Sequence, residues 1–165
     1  VMIRNIAPLE IRKMIYEGIF KSVLTYCMPL WGGLSKSEME DLQVMQNKAI
    51  RAVLKKPHRA NRNEMYTSSG YLTVRQLIFY HTTLSIYKIK KTKEPEYLYE
   101  ILSKENIRKN IVIDNTKMKL AKNSFTIRGP ENWNLIPHDI RNERVIKTFK
   151  TRLKTWILEN VPRFI

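Results

Sequence analysis

Five glycines and seven prolines punctuate the 165 residues, and most of them separate stretches in which apolar side chains return every three or four positions. That spacing, more than anything else in the chain, constrains it to helices. From Pro8 to Leu30 the apolar row is Ile11, Ile15, Ile19, Val23 and Cys27, with Tyr16, Phe20 and Leu24 beside it. This predicts a helix with a wide buried stripe, closed after Trp31 by Pro29, Gly32 and Gly33. Ser37 and Glu40 read as a capping box for a second helix, whose apolar row is Met39, Leu42, Met45, Ala49 and Val53 and whose end is Pro57.

A short helix is expected over 63–69, stopped at Gly70, where a left-handed cap suits glycine best. Thr73 and Gln76 repeat the capping-box pattern and start a helix with Val74, Leu77, Ile78, His81, Leu84 and Ile86 inward. Its tail carries Lys88, Lys90, Lys91 and Lys93, and part of that cluster suits a helix C-terminus. Another short helix follows Pro95. Between Asn106 and Arg128 the apolar residues Ile107, Ile111, Ile113, Phe125 and Ile127 alternate with polar ones in short runs, which predicts a small β-hairpin broken by Gly129 and Pro130. The last helix, about 144–160, places Val145, Ile146, Phe149, Leu153, Trp156 and Ile157 inward. The expected fold is therefore mainly α: a helical bundle with a small β-hairpin before a C-terminal helix.

Thirty lysines and arginines against fifteen acids leave a formal charge of +15. Each of the segments 1–35, 36–60, 61–94, 95–123 and 124–165 has a positive balance, so the charge belongs to the folded elements and not to a tail. A field of this sign favours a polyanionic partner. The densest group is Lys48, Arg51, Lys55, Lys56, Arg59 and Arg62, on one helix face and the loop after it, which would meet phosphates along a duplex. Lys147, Lys150 and Lys154 form a second basic face on the last helix, beside Arg152. Any one of these lysines is explained as well by a solvated surface. Tyr66 and Tyr71 stand near the first group and would either stack on bases or pack in the core.

Chemistry of other kinds has little support. His58, His81 and His138 lie far apart with no cysteine or carboxylate at ligand spacing, so no metal site is expected. Glu38, Glu40 and Asp41 are acidic enough for a magnesium ion, but a first helical turn accounts for them. No glycine-rich phosphate loop or nucleophile elbow is present, so neither catalysis nor a cofactor is expected. Cys27 is the only cysteine, which rules out a disulfide framework and fits the nucleus or cytoplasm. Charges interrupt every apolar run before the ~20 residues of a membrane span, so no membrane partner is expected. An opening at Val1 within a helical approach is what a piece of a longer protein would have.

Four blocks in a fixed order carry a resemblance. Leu24 to Gly32 (LTYCMPLWG) and Leu42 to Arg51 (LQVMQNKAIR) are followed by Gly70 to Leu77 (GYLTVRQL) with Tyr87-Lys88-Ile89 and Pro95 to Leu98 (PEYL). Ser124 to Pro137 (SFTIRGPENWNLIP), with Phe149-Lys150 and Leu153-Lys154, comes last. This series resembles the region after the catalytic core in reverse transcriptases of jockey-like non-LTR retrotransposons. The resemblance implies a thumb over residues 1–103 and a C-terminal extension over 104–165 of an RNA-directed DNA polymerase. It implies RNA, DNA or their hybrid as partner and an upstream palm domain in a longer chain, against which the first helix and the packing anchor Trp31 would sit. Trp133, the second anchor, lies in the last block. The palm aspartates of that family have no counterpart here, and neither does the Cys and His knuckle of some relatives. The other reading of the residues is a protein-interaction or scaffold module, with Trp31 and Trp133 exposed for a polymerase core or host partner, or a recruited host protein acting on chromatin.

Overall fold

The computed structural model describes residues 7–113 and 123–162. These residues are mainly helical, and they form no β-strand. The helices are α1 (Leu9–Ile15), α2 (Ser22–Thr25), α3 (Lys36–Leu54), α4 (Arg62–Ser69), α5 (Val74–Thr92), α6 (Glu96–Ser103), α7 (Phe125–Leu135), α8 (His138–Arg141) and α9 (Ile146–Asn160). A π-helical stretch, Tyr16–Lys21, joins α1 to α2 without a break, and a 3-10 turn covers Met28–Gly33. By packing, the described residues divide into one unit of 7–26, 34–77 and 162 and another of 27–33, 78–113 and 123–161. This is a different division from the thumb and extension that the resemblance implies.

The first unit is built on Tyr16, Ile50, Val53 and Tyr66, with Phe20, Ala49, Leu54 and Tyr71 against them. In an α-helix a spacing of four drifts by about 40° a step, but a π turn holds more residues and takes the drift back. Arg12, Tyr16, Phe20 and Leu24 consequently stay on one line, and this is the side that turns inward. Of the expected stripe, Tyr16, Phe20 and Leu24 turn inward, but its central row does not: Ile11, Ile19 and Val23 are 45%, 65% and 70% exposed, and Cys27 is exposed too. The helix also ends earlier than expected, at Thr25, with Cys27 left-handed at φ 51°.

On α3 the cap is Ser35 with Glu38, two residues before the expected pair. The buried line is Gln43, Gln46, Asn47, Ile50 and Val53, while Met45 is 56% exposed. Three amides lie inside because each finds partners. Gln46 donates to the Tyr16 hydroxyl at 3.1 Å and to Leu72 O at 2.9 Å, and Tyr66 Oη lies 2.9 Å from its Oε1. Gln43 Nε2 donates to Tyr66 Oη at 2.6 Å, and its Oε1 accepts the Val74 N–H at 3.0 Å. Buried polar groups with such partners cost little, and they fix one register. Gly70 closes α4 in the left-handed region at φ 65°, and Thr73 and Gln76 cap α5 reciprocally, both as the residue types require.

In the second unit Tyr87 stacks on Phe149 with ring centroids 4.0 Å apart, and its hydroxyl lies 3.1 Å from Glu143 O and 3.0 Å from Arg144 O. Phe149, Leu153 and Ile157 form the inner line of α9, whereas Val145 and Ile146 are exposed. The expected hairpin is absent among the described residues. Its first half is a loop with a single antiparallel bridge, Glu105 to Ile111, and its middle, 114–122, lies outside the described residues. Its second half, Phe125 and Ile127, belongs to α7, which runs straight through Gly129 and Pro130. Glycine permits this, since the residue before a proline is kept out of the helical region largely by its Cβ. A Cβ at Gly129 would also stand 2.9 Å from Ile86 Cδ1.

Candidate nucleic-acid interface

The buried amides of α3 decide where its cations go. At 100° per residue, Lys48 and Arg51 fall within about 60° of one another, on the side away from the Gln46–Ile50 line, and Lys55 follows just past the end of the helix. Lys48 and Lys55 are exposed. Arg51, one turn after the buried Asn47, is half-buried, and its Nε has no hydrogen-bond partner among the described residues. Burial pushes the Tyr66 hydroxyl above the ordinary tyrosine range and Tyr16 adds to the rise, while the Gln43 hydrogen bond and the charges of Arg51 and Arg62 pull it back. Arg51 therefore acts on the core as well as on the surface.

Beyond α3 the chain turns through Lys55, left-handed at φ 53°, and the Lys56 N–H closes onto Arg51 O at 3.0 Å. A side chain in this conformation costs about 1 kcal/mol, which glycine would avoid. A turn closed by the Ala60 N–H on Pro57 O at 3.1 Å holds Arg59 out in solvent, and Asn61 caps α4 by accepting the Asn63 N–H at 2.9 Å. Lys55 and Lys56 complement the α3 dipole, which explains them structurally. Arg62 is the first residue of α4, where a cation opposes the dipole, so that explanation does not extend to it.

Some cations elsewhere are tied down. Lys90 meets Glu105 at 2.5 Å, and Arg152 meets Glu143 at 2.7 Å and also Asp139. Lys90, Lys91 and Lys93 lie over the rings of Trp133, Tyr87 and Tyr99. Among the described residues, Lys48, Lys55 and Arg59 form no ion pair. Lys147, Lys150 and Lys154 form none either, and they are exposed on one side of α9.

Other candidates fall differently. Tyr66 is fully buried and offers no face for stacking, and Tyr71 is half-buried with its ring 4.8 Å from that of Tyr16. Trp133 is 3% exposed and Trp31 half-buried, so neither is the exposed anchor of the interaction reading. His81 is half-buried against the edge of Tyr80. Glu38 holds the Ser35 N–H at 2.8 Å, and its hydrogen bonds with Ser35 keep its carboxyl below the usual range. Among the described residues no three His, Cys, Asp or Glu side chains gather as a metal would need, and no helix is long and apolar enough to cross a membrane. Two features escaped the sequence reading: the exposed apolar side of α1 and α2, and the tip of the 106–110 loop. Comparison with family models, curated proteins and solved structures finds no match.

Proposed function

We propose that this chain grips nucleic acid by its phosphate backbone and performs no catalysis of its own, as the thumb region and C-terminal extension of a reverse transcriptase would. The observation that carries the reading is that Lys48, Lys55 and Arg59 are exposed and form no ion pair among the described residues, close in sequence to the half-buried Arg51. Lys48, Lys55, Lys56, Arg59 and Arg62 take the phosphates, and Arg51 supports them from beside Tyr66. Backbone contact suits a partner of any sequence, RNA, DNA or hybrid. Lys147, Lys150 and Lys154 offer a second surface of the same kind.

The test is the affinity of the chain for an RNA–DNA hybrid across a salt series. About five phosphate contacts give a log–log slope near −4.5, and each of Lys48→Ala and Arg59→Ala reduces its magnitude by about 0.9. Negligible binding at low salt, or a slope that neither substitution changes, overturns the reading. A second reading, docking onto a polymerase core or host partner, is favoured by one observation: Ile11, Met14, Ile19, Val23 and Tyr26 are all exposed on one helical run. Apolar groups gathered in this way mark interaction sites.

A further inference from the structure

The loop from Asn106 to Asn110 holds its apex in a fixed shape. The Asn106 side chain accepts the N–H groups of Arg108 at 3.0 Å and Asn110 at 3.1 Å. The Asn106 N–H donates to Asn110 O at 2.9 Å, and the Lys109 N–H to Asn106 O at 2.8 Å. Two side chains anchor the loop from below. Arg141 Nη1 donates to Lys109 O at 3.0 Å and to Asn110 Oδ1 at 3.1 Å, and Asn134 makes a two-way pair with the Ile111 backbone at 2.9 and 3.0 Å. Lys109 is held left-handed at φ 54°. All of this ordering presents Ile107, 104% exposed, at the apex with the exposed Arg108 and Lys109 next to it.

A lone exposed apolar residue normally needs no explanation. Here a strained backbone and two anchoring side chains hold it out, and strain kept up by its surroundings is characteristic of working sites. An apolar wedge flanked by cations is the device by which proteins enter a base step. We propose that this tip packs Ile107 against the face of an unstacked or terminal base pair of a bound duplex, with Arg108 and Lys109 on the phosphates beside it. The inference rests on the nucleic-acid reading above. An anionic membrane is the poorer fit, because stable adhesion there scales with buried apolar area and one isoleucine supplies little.

The experiment uses the whole chain and an RNA–DNA hybrid carrying a stacking-sensitive fluorescent adenine analogue at its end or, in a second duplex, at its centre. The expected result is an increase of about twofold or more at the end, lost in Ile107→Ser, while the salt slope stays unchanged. Since Ile107 touches solvent, the melting temperature of the variant should match that of the parent. Binding without any change at the terminal reporter overturns the wedge and leaves the grip intact. Absence of binding overturns both. Adhesion to phosphatidylserine vesicles that depends on Ile107, with no effect on the duplex, assigns the tip to membranes and also overturns the wedge.

Discussion

Replacing Gln46 by methionine keeps the length and volume of the side chain and removes all its hydrogen bonding. Gln46 is fully buried; it donates to Tyr16 Oη and Leu72 O, and its Oε1 takes hydrogen bonds from Gln43 Nε2 at 3.1 Å and Tyr66 Oη at 2.9 Å. Four bonds at a net ~1 kcal/mol each, with the Leu72 carbonyl left short of a partner, set a loss of about 4–5 kcal/mol. Tyr66 and Gln43 recover part of theirs through Asn47, whose Oδ1 lies 2.9 and 3.0 Å away, and the buried thioether returns about 1 kcal/mol, so the expected cost is about 3 kcal/mol. That is a large share of the ~5–15 kcal/mol that holds a domain together. Urea unfolding measures it, with a useful division of signals: all three tryptophans, 31, 133 and 156, lie in the second unit, whereas circular dichroism sees both. Gln46→Met should shift the dichroism transition to lower urea and the tryptophan transition by less. Combined with Tyr66→Phe, the two losses should fall short of their sum by about 1 kcal/mol, as for neighbours in one network. A loss under about 1 kcal/mol, or a gain, would refute the claim that amides fix the register of α3.

Two further outcomes follow from the same geometry. Burial, offset partly by the Gln46 hydrogen bond, pushes the Tyr16 hydroxyl up to about 12, and Tyr66 is raised further. A tyrosine whose folded pKa is raised contributes stability that is complete below its unfolded value of 10.0 and is lost as the pH climbs towards 12. A pH titration followed by tyrosinate absorbance and dichroism together should therefore find these two rings ionising only as the first unit unfolds. Ionisation of all eight tyrosines near pH 10 in folded protein would contradict it. Gly129→Ala would ordinarily strengthen a helix by up to ~1 kcal/mol, but here Ile86 Cδ1 at 2.9 Å and the following Pro130 oppose it. The net expectation is a loss of about 1–2 kcal/mol in thermal melts, and a stabilised variant would show that Ile86 gives way freely.

Much of the helix plan could be read from capping and termination, because these are local. Gly70, Thr73 with Gln76, and the end of α3 before Pro57 needed only neighbours in the sequence. What could not be read were choices made by distant partners. The rule that apolar residues turn inward failed on α3, since Gln43, Gln46 and Asn47 find Tyr16, Tyr66, Leu72 and Val74 across the unit. It failed on α1 because a row spaced by four stays in line through the π turn, on whichever side Tyr16 does not occupy. Alternation misled at 106–128 for a related reason: Ile111 is buried and its backbone is paired with Asn134 of α7, while Ile107, four residues earlier, has nothing over it.

The candidate site was legible to a corresponding degree. Cations at 48 and 51 share a helix face whatever the tertiary structure, so their grouping required only the helix. Which of them reach solvent depends on the rotation of α3, and that rotation is set by the amides. Had Met39, Leu42, Met45, Ala49 and Val53 been the inner row, Arg51 would have pointed straight out. With Gln43, Gln46 and Asn47 inside, Arg51 leans back towards Tyr66 and its charge reaches the core hydroxyl. The same buried network thus stabilises the first unit and aims Lys48 outward. Disrupting it at Gln46 should weaken hybrid binding through the orientation of the helix, with every lysine and arginine still present. The distinguishing sign is a fall in affinity under conditions where the variant is still folded, which persists when a substitution elsewhere in the first unit restores its stability.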